Sequence, residues 1–275
     1  TAETFVLGKD FGQLKIDGDG DMNFRFLGDT IQLTASAFFH RTNPGFYYRH
    51  YHSTHFWWDN DNMNKEIRTK IEGMISLKRT KTSLRFAAEQ VKNYTYFSLS
   101  YNIDPESSYS RNATSLAVKQ YDNSINIFTC ALRQDVNLGP LVWENEITYQ
   151  KSSNNEIIPL PSLNIYSNLY LSFRVSKVLL VNLGGDVRFF TKYYAPEYSP
   201  VLNQFCLQGN NEIRTEVGNY PIVNVYANFH LKHTRFYIMM SHINSGSGNS
   251  NYFLVPHYPI NPMVMHMGVS WNFFN

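Results

Sequence analysis

Nowhere does this chain approach the roughly 20 consecutive apolar residues that a membrane-spanning helix needs. Its longest aliphatic run is Val178-Leu179-Leu180-Val181, so helical spans are excluded. Cysteine is almost absent: Cys130 and Cys206 are two residues, too few for a disulfide framework. At least three strand-like segments separate them. As neighbours in one sheet those strands would set the thiols roughly 19 Å apart, at about 4.8 Å per strand. A disulfide needs Cα atoms within about 7 Å, so two free thiols are expected. An excess of one charge sign is also missing, since 24 Lys+Arg face 22 Asp+Glu for a net +2. That balance gives no electrostatic footprint for nucleic acid. Charged residues reach only 17%, against about 25% in an ordinary soluble domain. The opening Thr1-Ala2-Glu3-Thr4 carries neither initiator Met nor export signal. Either such a signal has been removed or the chain is part of a longer one.

Aromatic residues are plentiful instead. The 19 Tyr, 20 Phe and 4 Trp make up 16% of the chain, which can bury enough surface to argue against disorder. What remains is a soluble all-β protein, such as a lectin-like sandwich, or a transmembrane β-barrel.

Period-2 alternation recurs along most of the sequence. In 163–175, Leu163, Ile165, Leu169, Leu171, Phe173 and Val175 alternate with Asn164, Tyr166, Asn168, Tyr170, Ser172 and Arg174. Segment 179–192 sets Leu179, Val181, Leu183 and Val187 against Asn182, Asp186, Arg188 and Lys192. Clear strands are expected at 30–41, 46–58, 65–78, 83–97, 124–136, 141–150, 163–175, 179–192, 221–231, 235–243 and 263–273. Weaker ones fall near 22–28, 114–121 and 201–208, for about fourteen in a range of 12–16. Most are longer than the 5–6 residues usual in globular proteins and match the about 9–11 of a membrane strand. Tight turns are expected at Asn43-Pro44-Gly45, Leu138-Gly139-Pro140, Ser176-Lys177-Val178 and Lys232-His233-Thr234. Long connections are expected at Asp104–Asn112, Tyr193–Pro200, Gly209–Asn219 and Asn244–Pro262. Short turns mixed with long loops mark a membrane barrel. The expected architecture is therefore all-β, an antiparallel transmembrane β-barrel occupying 1–275 as a single domain.

From about Leu141 onward several blocks carry a family resemblance. The strongest is Gly218-Asn219-Tyr220-Pro221-Ile222-Val223-Asn224-Val225-Tyr226-Ala227-Asn228, followed by Lys232-His233-Thr234-Arg235-Phe236. Further blocks are Ser241-His242-Ile243-Asn244-Ser245-Gly246, His257-Tyr258-Pro259-Ile260-Asn261-Pro262 and Gly185-Asp186-Val187-Arg188-Phe189-Phe190. Together with the aromatic ending Gly268-Val269-Ser270-Trp271-Asn272-Phe273-Phe274-Asn275, they resemble the putative-porin family of Bacteroidetes outer membranes. The resemblance implies an outer-membrane β-barrel, a pore, and no catalytic residues. Family members tend to be longer, which implies a C-terminal portion of a larger barrel. The final Asn275 departs from a terminal aromatic.

Other constellations have plainer explanations. Asp17-Gly18-Asp19-Gly20-Asp21 hints at calcium, but an EF-hand loop needs Gly sixth and Glu twelfth, where Met22 and Gly28 stand. A polar hairpin turn is expected there, and another at Asp59-Asn60-Asp61-Asn62. His50 and His52 share a strand face and could ligate a metal, yet no third ligand completes the set nearby. Tyr47, Tyr48, Tyr51, Trp57 and Trp58 around them suggest an interfacial aromatic belt. Ser245-Gly246-Ser247-Gly248 is no nucleophile elbow, and no phosphate loop, dinucleotide fingerprint or metalloprotease motif is present. No enzyme, metal or cofactor is expected.

The polar sides of the alternating strands carry Arg68, Lys70, Glu72, Lys78, Arg85, Glu89, Glu144, Glu146, Arg174, Asp186, Arg188 and Lys192. An Arg or Lys at the lipid midplane costs about 2–4 kcal/mol, so these should face a lumen. Seven are cationic and five anionic, which predicts weak anion preference. The expected function is a porin-like channel for passive diffusion of small hydrophilic solutes, set in outer-membrane lipid. The alternative is a non-conducting barrel serving as a structural or assembly component of an outer-membrane complex. Homo-oligomer and larger complex both stay open.

Overall fold

The structure, a computed structural model, describes residues 1–26, 28–104, 107–209, 213–248 and 251–273. In chain order the strands begin with β1 (Ala2–Thr4), β2 (Leu14–Phe26), β3 (Asp29–Thr42), β4 (His50–His52), β5 (Trp57–Asp59) and β6 (Glu66–Leu77). Next come β7 (Thr82–Asp104), β8 (Ser107–Leu138), β9 (Leu141–Ser152), β10 (Leu163–Val175), β11 (Leu179–Phe190) and β12 (Glu197–Ser199). The last are β13 (Gln204–Gln208), β14 (Ile222–Leu231), β15 (Thr234–Ser241), β16 (Phe253–Val255), β17 (Tyr258–Pro259) and β18 (Val264–Trp271). An α-helical turn, α1 (Phe46–Arg49), stands among them, and Gly8–Asp10 form a 3-10 turn.

Twelve strands form an antiparallel meander in the order β1-β2-β3-β6-β7-β8-β9-β10-β11-β14-β15-β18. The connections Lys78–Lys81, Gly139-Pro140, Ser176–Val178 and Lys232-His233 are tight and lie together at one end. The excursions 5–13, 43–65, 153–162, 191–221 and 242–263 lie at the other. Ser176 (φ 51°), Lys177 (φ 62°) and Lys232 (φ 49°) take the left-handed conformation that matches a tight hairpin turn to strand twist. The expected register of the β10–β11 hairpin is found, with Val175 opposite Leu179, Phe173 opposite Val181 and Arg174 opposite Leu180.

Several expectations are corrected. Segment 46–58 is not a strand of the sheet; it is α1 followed by the small β4–β5 hairpin. Its aromatic residues have high β propensity, but that propensity expresses packing on a half-buried surface, and here the surface is another element. Tyr47, Tyr48, Tyr51 and Trp58 pack against Phe97, Leu99, Leu202 and Cys206, an internal cluster and no belt. Asn43-Pro44-Gly45 accordingly opens an excursion and closes no hairpin. Asp17–Asp21 is not a turn, for it lies inside β2, with Asp17 opposite Phe38, Asp19 opposite Ser36 and Asp21 opposite Thr34 of β3. Finally, Asp104–Asn112 is no long loop, because β7 runs to Asp104 and β8 starts at Ser107; residues 105–106 fall outside the described residues. The segments expected at 114–121 and 124–136 are one strand, and that expected at 201–208 lies off the meander as β13, parallel to Ser98 and Leu99 of β7.

The β7–β8 hairpin outgrows its neighbours. β6 pairs β7 only as far as Lys92, and β9 pairs β8 only back to Ile127. A register shift at Asn93, whose φ is 57°, marks the point of departure; Asn tolerates this left-handed bulge. Asn93 Nδ2 donates to Lys65 O at 2.9 Å, and Gln120 Nε2 donates to Asn64 O at 2.8 Å. These bonds tie the end of the 43–65 excursion to the root of the protruding hairpin.

The sheet is not closed. Among the described residues β2 beyond Asp17 has β3 as its sole partner strand, and β18 pairs β15 alone. An edge left bare in hydrocarbon would leave backbone groups unsatisfied, so β18 is expected to matter for assembly as well as for pairing. Trp271 stands opposite Thr234, and Asn272 N donates to His233 O at 2.9 Å. Deleting residues 271–275 is expected to abolish membrane integration. Carbonate extraction of cell envelopes checks this; a truncated protein that stays in the membrane pellet refutes it.

Candidate functional site: the polar face and its covering excursions

Residues directly opposite in an antiparallel pair share a face, so the register assigns every strand position. One face of β6 to β18 is apolar and open: Ile71, Phe86, Phe128, Ile147, Leu169, Leu171, Phe236, Met265, Val269 and Trp271 are exposed on it. Val181 shares this face but is only 4% exposed, since Phe173 and Phe229 stand on either side of it. A hollow of about 740 Å³ between Thr69, Ile71, Ala88, Phe128 and Tyr149 opens on this apolar side, where lipid rather than solute would meet it.

The other face is polar and continuous across strands. One row reads Asp135, Glu144, Asn168, Asp186, Asn224 over β8 to β14. Asn168 Nδ2 donates to Glu144 Oε2 at 3.0 Å, and Asn224 Nδ2 donates to Asp186 Oδ1 at 2.9 Å. Tyr170 donates to Glu144 Oε1 at 3.1 Å and Tyr226 to Asn168 Oδ1 at 2.8 Å. The next row is Arg133, Glu146, Tyr166, Arg188, Ile222. Gly268 lies under the Tyr237 ring, where a Cβ would come within 2.5 Å of a ring carbon, so the glycine makes room for the aromatic side chain.

Ten of the twelve sequence-predicted residues lie on this face inside strands: Arg68, Lys70, Glu72, Arg85, Glu89, Glu144, Glu146, Arg174, Asp186 and Arg188. The other two are at the rims. Lys78 sits in the turn after β6, and Lys192 lies beyond β11, donating to Glu216 Oε2 at 2.9 Å. That bond holds the Lys192 ammonium above its ordinary range. The structure brings Arg68 to Glu89 (3.0 Å from Nε), Lys70 to Glu72 (2.7 Å) and Arg85 to Glu72 (3.5 Å). Among the described residues it does not bring Arg174 to any partner of opposite charge.

Sequence reasoning missed part of this face. Lys15, Asp17, Asp19, Asp21 and Arg25 share it along β2, as do Glu66, Arg133, Asp135 and Arg235 elsewhere. The signal was present as strict alternation with Ile16, Gly18, Gly20, Met22 and Phe24; the aspartates and glycines read as turn formers instead. The ten strand residues hold five charges of each sign. The additions bring four cations and five anions, so the modest cationic excess disappears.

At the long-loop end the excursions interlock. Tyr47 donates to Leu202 O at 2.9 Å. Glu197, 5% exposed, accepts from Tyr101 and meets His257 Nε2 at 3.3 Å. The histidine pair is engaged by acids: His50 Nδ1 lies 2.9 Å from Asp59 Oδ1 and His52 Nε2 lies 2.8 Å from Asp59 Oδ2. These bonds hold the Asp59 carboxyl below its ordinary range. Among the described residues no group of three or more His, Cys, Asp or Glu could hold a metal. Cys130 lies in β8 and Cys206 in β13, both as free thiols. Burial pushes the Cys206 thiol up to about 12. At pH 8 that leaves on the order of one thiolate in ten thousand, and thiolate is the reactive species. Cys206 is therefore expected to resist maleimide in the folded protein and to react on unfolding, as mass spectrometry of labelled peptides checks.

The fold is similar to the siderophore receptor PirA of Pseudomonas aeruginosa, with TM-score 0.55, 13% identity, and coverage of 95% of this chain and 42% of that one. It is also similar to the ferric enterobactin receptor PfeA of the same organism, with TM-score 0.61, 13% identity, and coverage of 94% and 40%. The chain thus spans about two fifths of the length of these receptors. No curated protein matches it. A family model described as "Putative porin" matches residues 1–275.

Proposed function

Because the chain belongs to the putative-porin family and is a protein of the bacterial outer membrane, we propose that its polar face lines a pore for passive diffusion of small hydrophilic solutes. The observation that carries this is the unbroken polar row from Asp135 to Asn224, facing away from the exposed apolar side. Ten of the sequence-predicted residues then line the lumen, with Lys78 and Lys192 at its two mouths. The long excursions face the cell exterior and the tight turns the periplasm, as in other outer-membrane barrels. Solutes pass without bond-making, so no catalytic residue or cofactor is assigned. Charges of both signs neutralise one another across strands, and salt screens what is left within about 8–10 Å. Nearly unselective conductance follows. Purified protein added to a planar bilayer should give discrete current steps.

One observation favours a second reading. Leu254, Ile260 and Asn261 of the 242–263 excursion border the same cavity as Glu146, Tyr166 and Arg188 of the polar face, so the excursion lies against that face. A fully obstructed lumen would make the protein a non-conducting structural component of an outer-membrane complex. Absence of current steps from folded protein favours this second reading and refutes the pore.

A further inference from the structure

Beneath the 242–263 excursion lies a cavity of about 620 Å³, within the range of small-ligand pockets. Its floor is the row Glu146, Tyr166, Arg188, in which Tyr166 stands directly opposite both charged residues. Among the described residues, the Glu146 carboxylate, the Thr148 hydroxyl and the Asn164 amide have no hydrogen-bond partner. Arg133 is opposite Glu146 in register, but its guanidinium lies 3.6 Å from Asp135. Arg188 is held loosely. Its Nε is 3.9 Å from Asp186, its side chain is 69% exposed, and its guanidinium lies 5.5 Å from the centroid of the Tyr166 ring. The fork can therefore accept a carboxylate in two parallel bonds. Phe190, Ile222, Leu254 and Ile260 supply apolar wall.

We propose that this cavity is a binding subsite for short zwitterionic peptides, with the C-terminal carboxylate on Arg188 and the N-terminal ammonium at Glu146. The proposal deepens the pore reading and rests on the polar face being a solute path. Two opposite charges without a strong mutual partner, at either side of one tyrosine, suit a ligand carrying both signs. Glu146 and Arg188 are two strand spacings apart, about 9.6 Å. An extended tripeptide spans about 10 Å, so its termini reach both. Its backbone amides and carbonyls meet Asn164 and Thr148, and its side chains meet the apolar wall. A sugar fits less well, because the Tyr166 face on which a pyranose would stack is already taken by the Arg188 guanidinium.

Calorimetric titration of trialanine into the detergent-purified protein tests the subsite without any current being measured. Trialanine should bind, and Arg188→Gln or Glu146→Gln should each weaken it at least tenfold. Both side chains are exposed, so neither change should disturb folding, which the unchanged circular dichroism of the variants would verify. N-acetyl-trialanine lacks the ammonium and should bind at least tenfold more weakly, with no further loss in Glu146→Gln. Equal binding of N-acetyl-trialanine amide, or binding of maltotriose in place of trialanine, would overturn the proposal. Channel currents without trialanine binding would remove the subsite and leave the pore. Trialanine binding without currents would do the opposite.

Discussion

Leu171→Arg is expected to impair insertion strongly, while Ser172→Arg, one residue along the same strand, is expected to insert normally. Leu171 is 44% exposed on the apolar face, between Leu141 and Leu183 in register. Ser172 points to the polar face beside Asn182. An arginine on the lipid face costs about 2–4 kcal/mol at the midplane and less toward the interfaces. Leu171 lies two residues from the centre of β10, so the folded, inserted state should lose on the order of tenfold to a hundredfold in population. Folding into vesicles, read as the heat-modifiable fraction on a gel, measures the difference. Equal loss in both variants would sink the face assignment on which the pore depends. Val181 is a poorer probe despite sharing the face, since its burial would confound lipid exposure with packing.

Arg174→Glu combined with Arg188→Glu is expected to turn a nearly unselective channel into a cation-preferring one. With cations and anions nearly equal in number along the strands of the polar face, exchanging two arginines removes two positive charges and adds two negative ones. The positions act at separate depths. Arg174 stands opposite Leu180, and Arg188 follows eight residues later on β11, about 26 Å along the strand. No single neighbouring charge can therefore mask both. A tenfold salt gradient corresponds to about 1.36 kcal/mol, and one charge crossing 100 mV to about 2.3 kcal/mol. The reversal potential is thus bounded near 59 mV for ideal cation selectivity, and the double variant should move toward that bound by a sizeable fraction at low salt. At high salt the shift should fade. A reversal potential unmoved at low salt would place the current path elsewhere.

Much of the fold was legible because a barrel strand writes its two environments into alternate residues. Over 163–192 that alternation, joined by the short link Ser176–Val178, determined faces and register together. A slip of one residue would have turned Leu171 inward and Arg174 into lipid. β2 was harder, because Gly18 and Gly20 removed the apolar half of the pattern and left aspartates that resemble turn chemistry. The 46–58 segment defeated the same logic for a different reason. Its rings suit any half-buried surface, and only the protruding β7–β8 hairpin, with Phe97 and Leu99, decided which surface that would be.

What the sequence determined by itself was local: strand length, alternation, the tight turns, and the absence of helical spans. The tertiary structure decided the pairings between strands that are distant in the chain. Asn224 meets Asp186 across β11 and β14, which are separated by the whole 191–221 excursion, and no local pattern fixes that register. The same holds for Leu254 and Ile260 lying against Tyr166 and Arg188. A period-2 pattern says which way a side chain points, but the partner it meets there depends on how the chain returns, and that is set by packing among segments remote in sequence.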